Sequence, residues 1–126
     1  MKIHIVNFGM GNIFSVQKKI QSKDISLSIS SDIHDILNAD KIILCGVGHF
    51  KKAMDNLIEL NLIDSLNDFA LIQKKPVLGI CLGMQLMANY SEEGNVNGLG
   101  WVDAKVKKFN TSESKKYKIP HMGWNT

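Results

Sequence analysis

The stretch Pro76-Val77-Leu78-Gly79-Ile80-Cys81-Leu82-Gly83-Met84-Gln85 decides how this chain is read. Pro76 opens an apolar run, Val77 to Ile80, with the length and composition of a buried strand. Helical spacing at Leu82, Leu86 and Tyr90 then predicts a helix over 82–90. Between strand and helix stands Cys81, in the pattern Gly-x-Cys-x-Gly, with no room for a loop. A reactive side chain on so sharp a turn needs small neighbours two residues either side, and Gly79 and Gly83 supply them. The first turn of the helix also presents unpaired N–H groups and the positive end of its dipole, both of which favour a thiolate. Cys81 is therefore read as a nucleophile toward a carbonyl, with the Leu82 N–H as one oxyanion donor. The plainer alternative makes Cys81 a small buried hydrophobe and the glycines turn formers only.

Working outward, Lys41 to Cys45 (KIILC) is a second apolar strand, running into Gly46-Val47-Gly48-His49. Backbone N–H groups of that loop lie beside the Cys81 turn and can converge on the same oxygen; a plain glycine turn is the competing reading. Ile3, Ile5 and Val6 form a third strand, closed by Asn7–Gly11, with Asn12 as the cap of a helix carrying Ile13, Val16 and Ile20. Ile25, Leu27 and Ile29 alternate with serines, as in a half-buried or edge strand, and Ser31 is expected to cap a short helix through Leu37. Phe50–Leu60 and Leu62–Ile72 read as one broken helix or two consecutive ones. Gly94–Gly100 reads as a loop and Trp101–Phe109 as a strand, while Ile119–Thr126 has little periodic signal. Apolar strands separated by helices predict an α/β fold, a mostly parallel sheet with helices on both faces. In such sheets chemistry gathers outside the carboxyl ends of the strands, where three loops meet: Asn7–Gly11, Gly46–His49 and Gly79–Gly83.

Composition narrows the function classes. The chain has 126 residues, 44% hydrophobic and with only 2 Pro, which fits one packed domain and excludes a disordered one. Its net charge is +3, and every basic residue is Lys. Without Arg there are no bidentate forks for phosphates, which argues against nucleic acid as a partner. The excess is local: residues 1–102 carry 9 Lys against 10 acids, and 103–126 carry 6 against 2. Lys107, Lys108, Lys115 and Lys116 read as one solvated face. Cys45 and Cys81 are too few for a disulfide scaffold and lack metal spacing, so no metal is expected. The opening MKIHIVNFGMGN reads as a strand and not a signal peptide, no run reaches membrane-span length, and a reduced cytoplasmic setting is expected. Asn7–Asn12 lacks the full Gly-x-Gly-x-x-Gly spacing, which argues against a dinucleotide.

A thiol nucleophile needs a base and an orienting group. His4 lies inside the first strand and reads as structural, and His34 as solvated on a surface helix. That leaves His49 and His121 as nominees, neither in a convincing pattern.

The elbow PVLGICLGMQ, the glycine loop and Pro120-His121-Met122-Gly123-Trp124-Asn125 together resemble the class I (triad-type) glutamine amidotransferases. Within that family the resemblance is nearest to the glutaminase subunits of imidazole glycerol phosphate synthase. Asn7–Ser15, with Gly9, Asn12 and Ser15, is similar to the family's opening. The resemblance runs over residues 1–126 and implies the N-terminal part of a single amidotransferase domain. That domain is a flavodoxin-like three-layer sandwich, here C-terminally incomplete. The implied chemistry is attack of Cys81 on the side-chain amide of glutamine, release of ammonia, and hydrolysis of a glutamyl thioester. It makes Leu82 and Val47 the oxyanion donors and places Gly46, Gly48 and Gln85 on the substrate side. It puts His121, Met122, Trp124 and Asn125 at the interface with a (β/α)8 cyclase or synthase that makes imidazole glycerol phosphate in histidine biosynthesis. No cofactor is implied. His121 matches an interface histidine, and the family's catalytic His and Glu match no position in these residues, so the 126 residues alone are expected to be inactive.

One departure stands out. The family's usual Pro-Gly-Val-Gly is Cys45-Gly46-Val47-Gly48 here, adding an N–H and a freer φ before a loop thought to rearrange in the family. Cys45 and Cys81 end adjacent strands, so their pairing hinges on whether their Cβ vectors converge. Two other readings compete: a paralogous glutaminase that supplies ammonia for amination of surface sugars, and a truncated, non-catalytic module that only binds the partner.

Overall fold

The computed structural model describes residues 1–22 and 24–107. Four parallel strands, β1 (Lys2–Val6), β2 (Ser26–Ser30), β3 (Lys41–Gly46) and β4 (Val77–Cys81), form one sheet in the order β2-β1-β3-β4. The connecting helices are α1 (Ile13–Ile20), α2 (Ile33–Asn38), α3 (Phe50–Glu59) and α4 (Ile63–Asn67), followed by a π-helical turn at Asp68–Ile72. Alternation along β3 divides the core into two layers. Ile42 and Leu44 face Phe50, Leu57, Leu62, Leu66 and Phe69, whereas Ile43 and Cys45 face Ile5 and Ile13. Each such side chain, fully buried, contributes roughly 1.5–3 kcal/mol. This is the expected parallel α/β sandwich, with helices on both faces.

The expected edge strand is β2. The expected pair of helices is α3 and α4, separated where Asn61 adopts φ 57°. α3 buries Phe50, Ala53, Met54 and Leu57, a helical stripe along one face.

Several sequence expectations are corrected. β4 was expected to be buried, but among the described residues it pairs only with β3, and Leu78 is 54% exposed on it. The helix expected over 82–90 stops early: α5 spans Leu82–Gln85, and Ala88–Ser91 is a strand, β5. The cause is long-range competition for carbonyls. Leu86 O accepts the Leu99 N–H at 2.7 Å and Met87 O accepts the Val102 N–H at 2.9 Å, so neither is left to extend the helix. β5 pairs antiparallel with β6 (Val96–Asn97), which interrupts the expected loop, and parallel with β7 (Val102–Val106), the core of the expected strand over 101–109. The indole Nε1–H of Trp101 donates to Asn67 Oδ1 at 2.7 Å, fastening this small sheet to α4.

Two caps differ as well. Asn12 precedes α1 but sits at φ 60° and makes no side-chain cap bond; capping requires an extended backbone there. α2 is capped by Asp32 and not by Ser31: Asp32 is extended, and its Oδ1 accepts the His34 N–H at 2.8 Å. Among the described residues no helix is long and apolar enough to cross a membrane.

Candidate active site

Cys81 is both the last residue of β4 and the residue before α5, with φ 53° and ψ −118°. A side-chain-bearing residue with that backbone costs on the order of 1–3 kcal/mol, which the surrounding packing must hold in place. The packing is tight because two side chains are missing. A Cβ built on Gly79 would lie 2.7 Å from Met84 Cα, and one on Gly83 would overlap the Leu44 carbonyl. With hydrogen at both positions, α5 rests directly on the strand backbone and the Cys81 side chain is turned outward, exposed. The reading of Cys81 as a buried hydrophobe therefore does not hold.

Leu82 opens α5 with its side chain buried, and as the first helical residue its N–H has no acceptor within the helix. Gln85 lies one turn beyond Cys81, half-buried on the same side of α5.

The Gly46–His49 loop lies alongside. Gly46 pairs with Cys81 in the β3–β4 ladder. Gly48 has φ 137°, a backbone that suits glycine. The expected donor at Val47 is present but engaged: its N–H donates to Met10 O at 2.9 Å. It therefore does not form a ready-made oxyanion hole. The Asn7–Gly11 loop is fastened in turn by Asn56, whose Nδ2 donates to Phe8 O at 2.9 Å. The three loops expected at this edge do meet.

The histidines divide clearly. His4 is buried, with Nδ1 2.7 Å from Ser28 Oγ and Nε2 3.1 Å from Ser30 O. A carbonyl only accepts, so Nε2 carries the proton and Nδ1 accepts from the serine hydroxyl. Burial holds its pKa below the usual value, against the opposing pull of the Ser30 carbonyl and of Asp35 and Asp32. His4 is structural, as expected. His34 lies exposed on α2. His49, one of the two nominated bases, instead caps α3, its Nδ1 accepting the Lys51 N–H at 3.2 Å. The other nominee, His121, lies outside the described residues with the expected interface residues Met122, Trp124 and Asn125.

Cys45 does not oppose Cys81. The register pairs Cys45 with Ile80, and its side chain is buried on the face carrying Ile5, Ile13 and Ile43, away from α5. Both thiols are free. Burial pushes the Cys45 thiol pKa up, with a smaller contribution from Cys81. Among the described residues no cluster of His, Cys, Asp or Glu side chains gathers as metal ligands do.

Sequence reasoning missed three contributors: Met10, Asn56 and Glu93. The first acts through its carbonyl, which no side-chain pattern reveals. Asn56 acts across 48 residues of chain on Phe8 O, and Glu93 across 43, its carboxylate accepting the Phe50 N–H at the end of the glycine loop.

The family model for class-I glutamine amidotransferases matches residues 4–126. The chain is 50% identical over 123 residues to the imidazole glycerol phosphate synthase subunit HisH 2 of Methanococcus maripaludis, covering 98% of this chain and 60% of that protein. It is 46% identical over 124 residues to the corresponding subunit HisH 1 of Campylobacter jejuni, covering 98% and 61%. With the HisH subunit of Pelagibacter ubique the identity is 40% over 130 residues, covering 99% and 62%. The chain thus spans about three-fifths of the length of these curated relatives. An exposed cysteine on a glycine-flanked elbow, a glycine loop beside it and a match across almost the whole chain agree: the chain belongs to the class-I glutamine amidotransferase family.

Proposed function

We propose that residues 1–126 are the N-terminal part of one glutamine amidotransferase domain that hydrolyses glutamine for a (β/α)8 cyclase partner making imidazole glycerol phosphate. The observation that carries this reading is the backbone of Cys81, held at φ 53° so that its thiol faces solvent at the helix start. The Cys81 thiolate attacks the side-chain carboxamide carbon of glutamine. The carbonyl oxygen takes up the negative charge and is met by the Leu82 N–H. Collapse of that intermediate expels the amide nitrogen as ammonia once it is protonated, leaving a γ-glutamyl thioester. Water then cleaves the C–S bond, giving glutamate and the free thiol. His4 is held by Ser28 and Ser30 and the Nδ1 of His49 is taken up in capping α3, which favours a proton carrier outside the described residues.

In the described state the Val47 N–H is occupied by Met10 O. Its use as the second oxyanion donor requires the Gly46–Val47 peptide to turn over, rotating ψ of Gly46 and φ of Val47. The hydrogen bond given up is worth about 0.5–1.5 kcal/mol net, small enough for a bound ligand or partner to offset.

The test is glutamate release from glutamine with the cyclase partner present. Cys81→Ala should lower kcat at least about a thousandfold while the protein still binds its partner. Retained turnover in that variant would remove Cys81 from the chemistry.

A further inference from the structure

The Gly46–His49 loop joins β3 to α3, and its two ends are secured differently. At the front Gly46 pairs with Cys81, and the Val47 N–H rests on Met10 O. At the far end stands Phe50, the first residue of α3, whose N–H has no acceptor inside the helix. Its acceptor is Glu93 Oε1, at 2.5 Å and partly buried. Glu93 belongs to neither the loop nor α3. It sits in the turn between β5 and β6, and that turn is itself held. The Glu93 N–H donates to Oγ of the fully buried Ser91 at 3.0 Å, and the Glu92 N–H donates to Val106 O at 2.9 Å. The next residue, Gly94, has φ 88°, and a Cβ there would lie 2.5 Å from Lys51 Cβ and 3.1 Å from His49 Cε1. The turn therefore lies directly on the start of α3.

We propose that Glu93 is a positioning residue: its carboxylate fixes the far end of the Gly46–His49 loop relative to Cys81. This rests on the glutaminase reading of the site. Eleven residues of chain, through α5 and β5, separate Cys81 from Glu93, so one short segment carries both the nucleophile and the brace for the loop facing it. A carboxylate suits the task because its bond to an N–H is charge-assisted and it meets the positive end of the α3 dipole. With Phe50 held, turnover of the Gly46–Val47 peptide swings the Val47 N–H about a fixed end. Without the brace the loop takes up many positions, and the N–H meets the oxyanion in few of them.

The test compares Glu93→Ala and Glu93→Gln in the protein assayed with its cyclase partner. Three readouts are needed: amide hydrogen exchange, steady-state kinetics, and the rate of Cys81 alkylation. Glu93→Ala should speed exchange at Phe50 about tenfold or more and lower kcat about 10–100-fold, the scale of a lost or misplaced oxyanion donor. KM should stay within about threefold and Cys81 alkylation should be unchanged. Glu93→Gln keeps an acceptor oxygen and should recover most of kcat. Faster exchange with unchanged kcat would reduce Glu93 to a helix cap and overturn the proposal. A rise in KM with unchanged exchange would overturn it in favour of direct substrate contact. If the complete glutaminase domain hydrolyses no glutamine with its partner present, the functional reading falls, while the exchange measurement still decides whether Glu93 anchors the loop.

Discussion

The elbow around Cys81 and the Gly46–His49 loop are both glycine-flanked, and they use glycine for opposite ends. At Gly79 and Gly83 what matters is the absent Cβ, which lets α5 lie on the strands and holds Cys81 in a backbone it would not choose. At Gly48 the gain is conformational: φ is 137°, and the only atom near a built Cβ is the flexible tip of Met10, at 2.5 Å. One region is fixed by backbone contact at Gly79 and Gly83. The other is tied through the Val47 N–H to Met10 and through the Phe50 N–H to Glu93, and the first of these ties is made by the peptide that must turn. On the function proposed above, a nucleophile already in place faces a donor that has still to be aimed.

Alanine at the two kinds of glycine should break this contrast most visibly. Gly83→Ala drives a methyl into the Leu44 carbonyl, backbone against backbone, and should cost about 3 kcal/mol or more in a denaturant melt, or prevent folding. Gly48→Ala meets only a movable side chain and an unfavourable φ, and should cost about 1–2 kcal/mol. Equal losses would mean that the loop is packed as rigidly as the elbow.

His4 in β1 is buried, and its pKa lies below the ordinary 6.5 chiefly through loss of solvation. The unfolded chain takes up a proton near pH 6.5 and the folded chain only at lower pH. This contribution to stability is therefore complete above about pH 6.5 and is lost as pH falls toward the folded-state value. The slope should reach at most about 1.4 kcal/mol per pH unit, and His4→Gln should remove it. A slope that survives the substitution would place the titration elsewhere.

The smallest effect sharpens the elbow alone. Cys81→Gly should abolish activity yet raise stability by about 1 kcal/mol, since glycine accepts φ 53° but loses more entropy on folding. A destabilised Cys81→Gly protein would show that the cysteine is not strained.

What could be read from the sequence follows from how local each feature is. The elbow lies within ten consecutive residues, and its glycines, cysteine and apolar flanks declare it. The parallel sheet was legible for the same reason, since KIILC and VLGI are short apolar strands followed by helical stripes. The end of α5 was not, because it is set by amides of Leu99 and Val102 that arrive from the next loop. The side on which Cys45 points was not legible either: it depends on a register in which a shift of one residue exchanges the faces. The occupied state of Val47 and the contact of Glu93 with Phe50 belong to the same class, long-range bonds made through backbone atoms.

Where α5 meets β3 at Gly83, main chain lies against main chain with no side chain between them. The height of α5 above the sheet is therefore set by the dimensions of the peptide itself, which are the same in every protein. Elsewhere in this core, exchanging one hydrophobic residue for another changes the separation between layers and passes strain along. At this one contact there is nothing to exchange. The residues filling the rest of the layer can drift over evolutionary time while the spacing of the sulfur-bearing turn above the sheet stays insulated from their volumes.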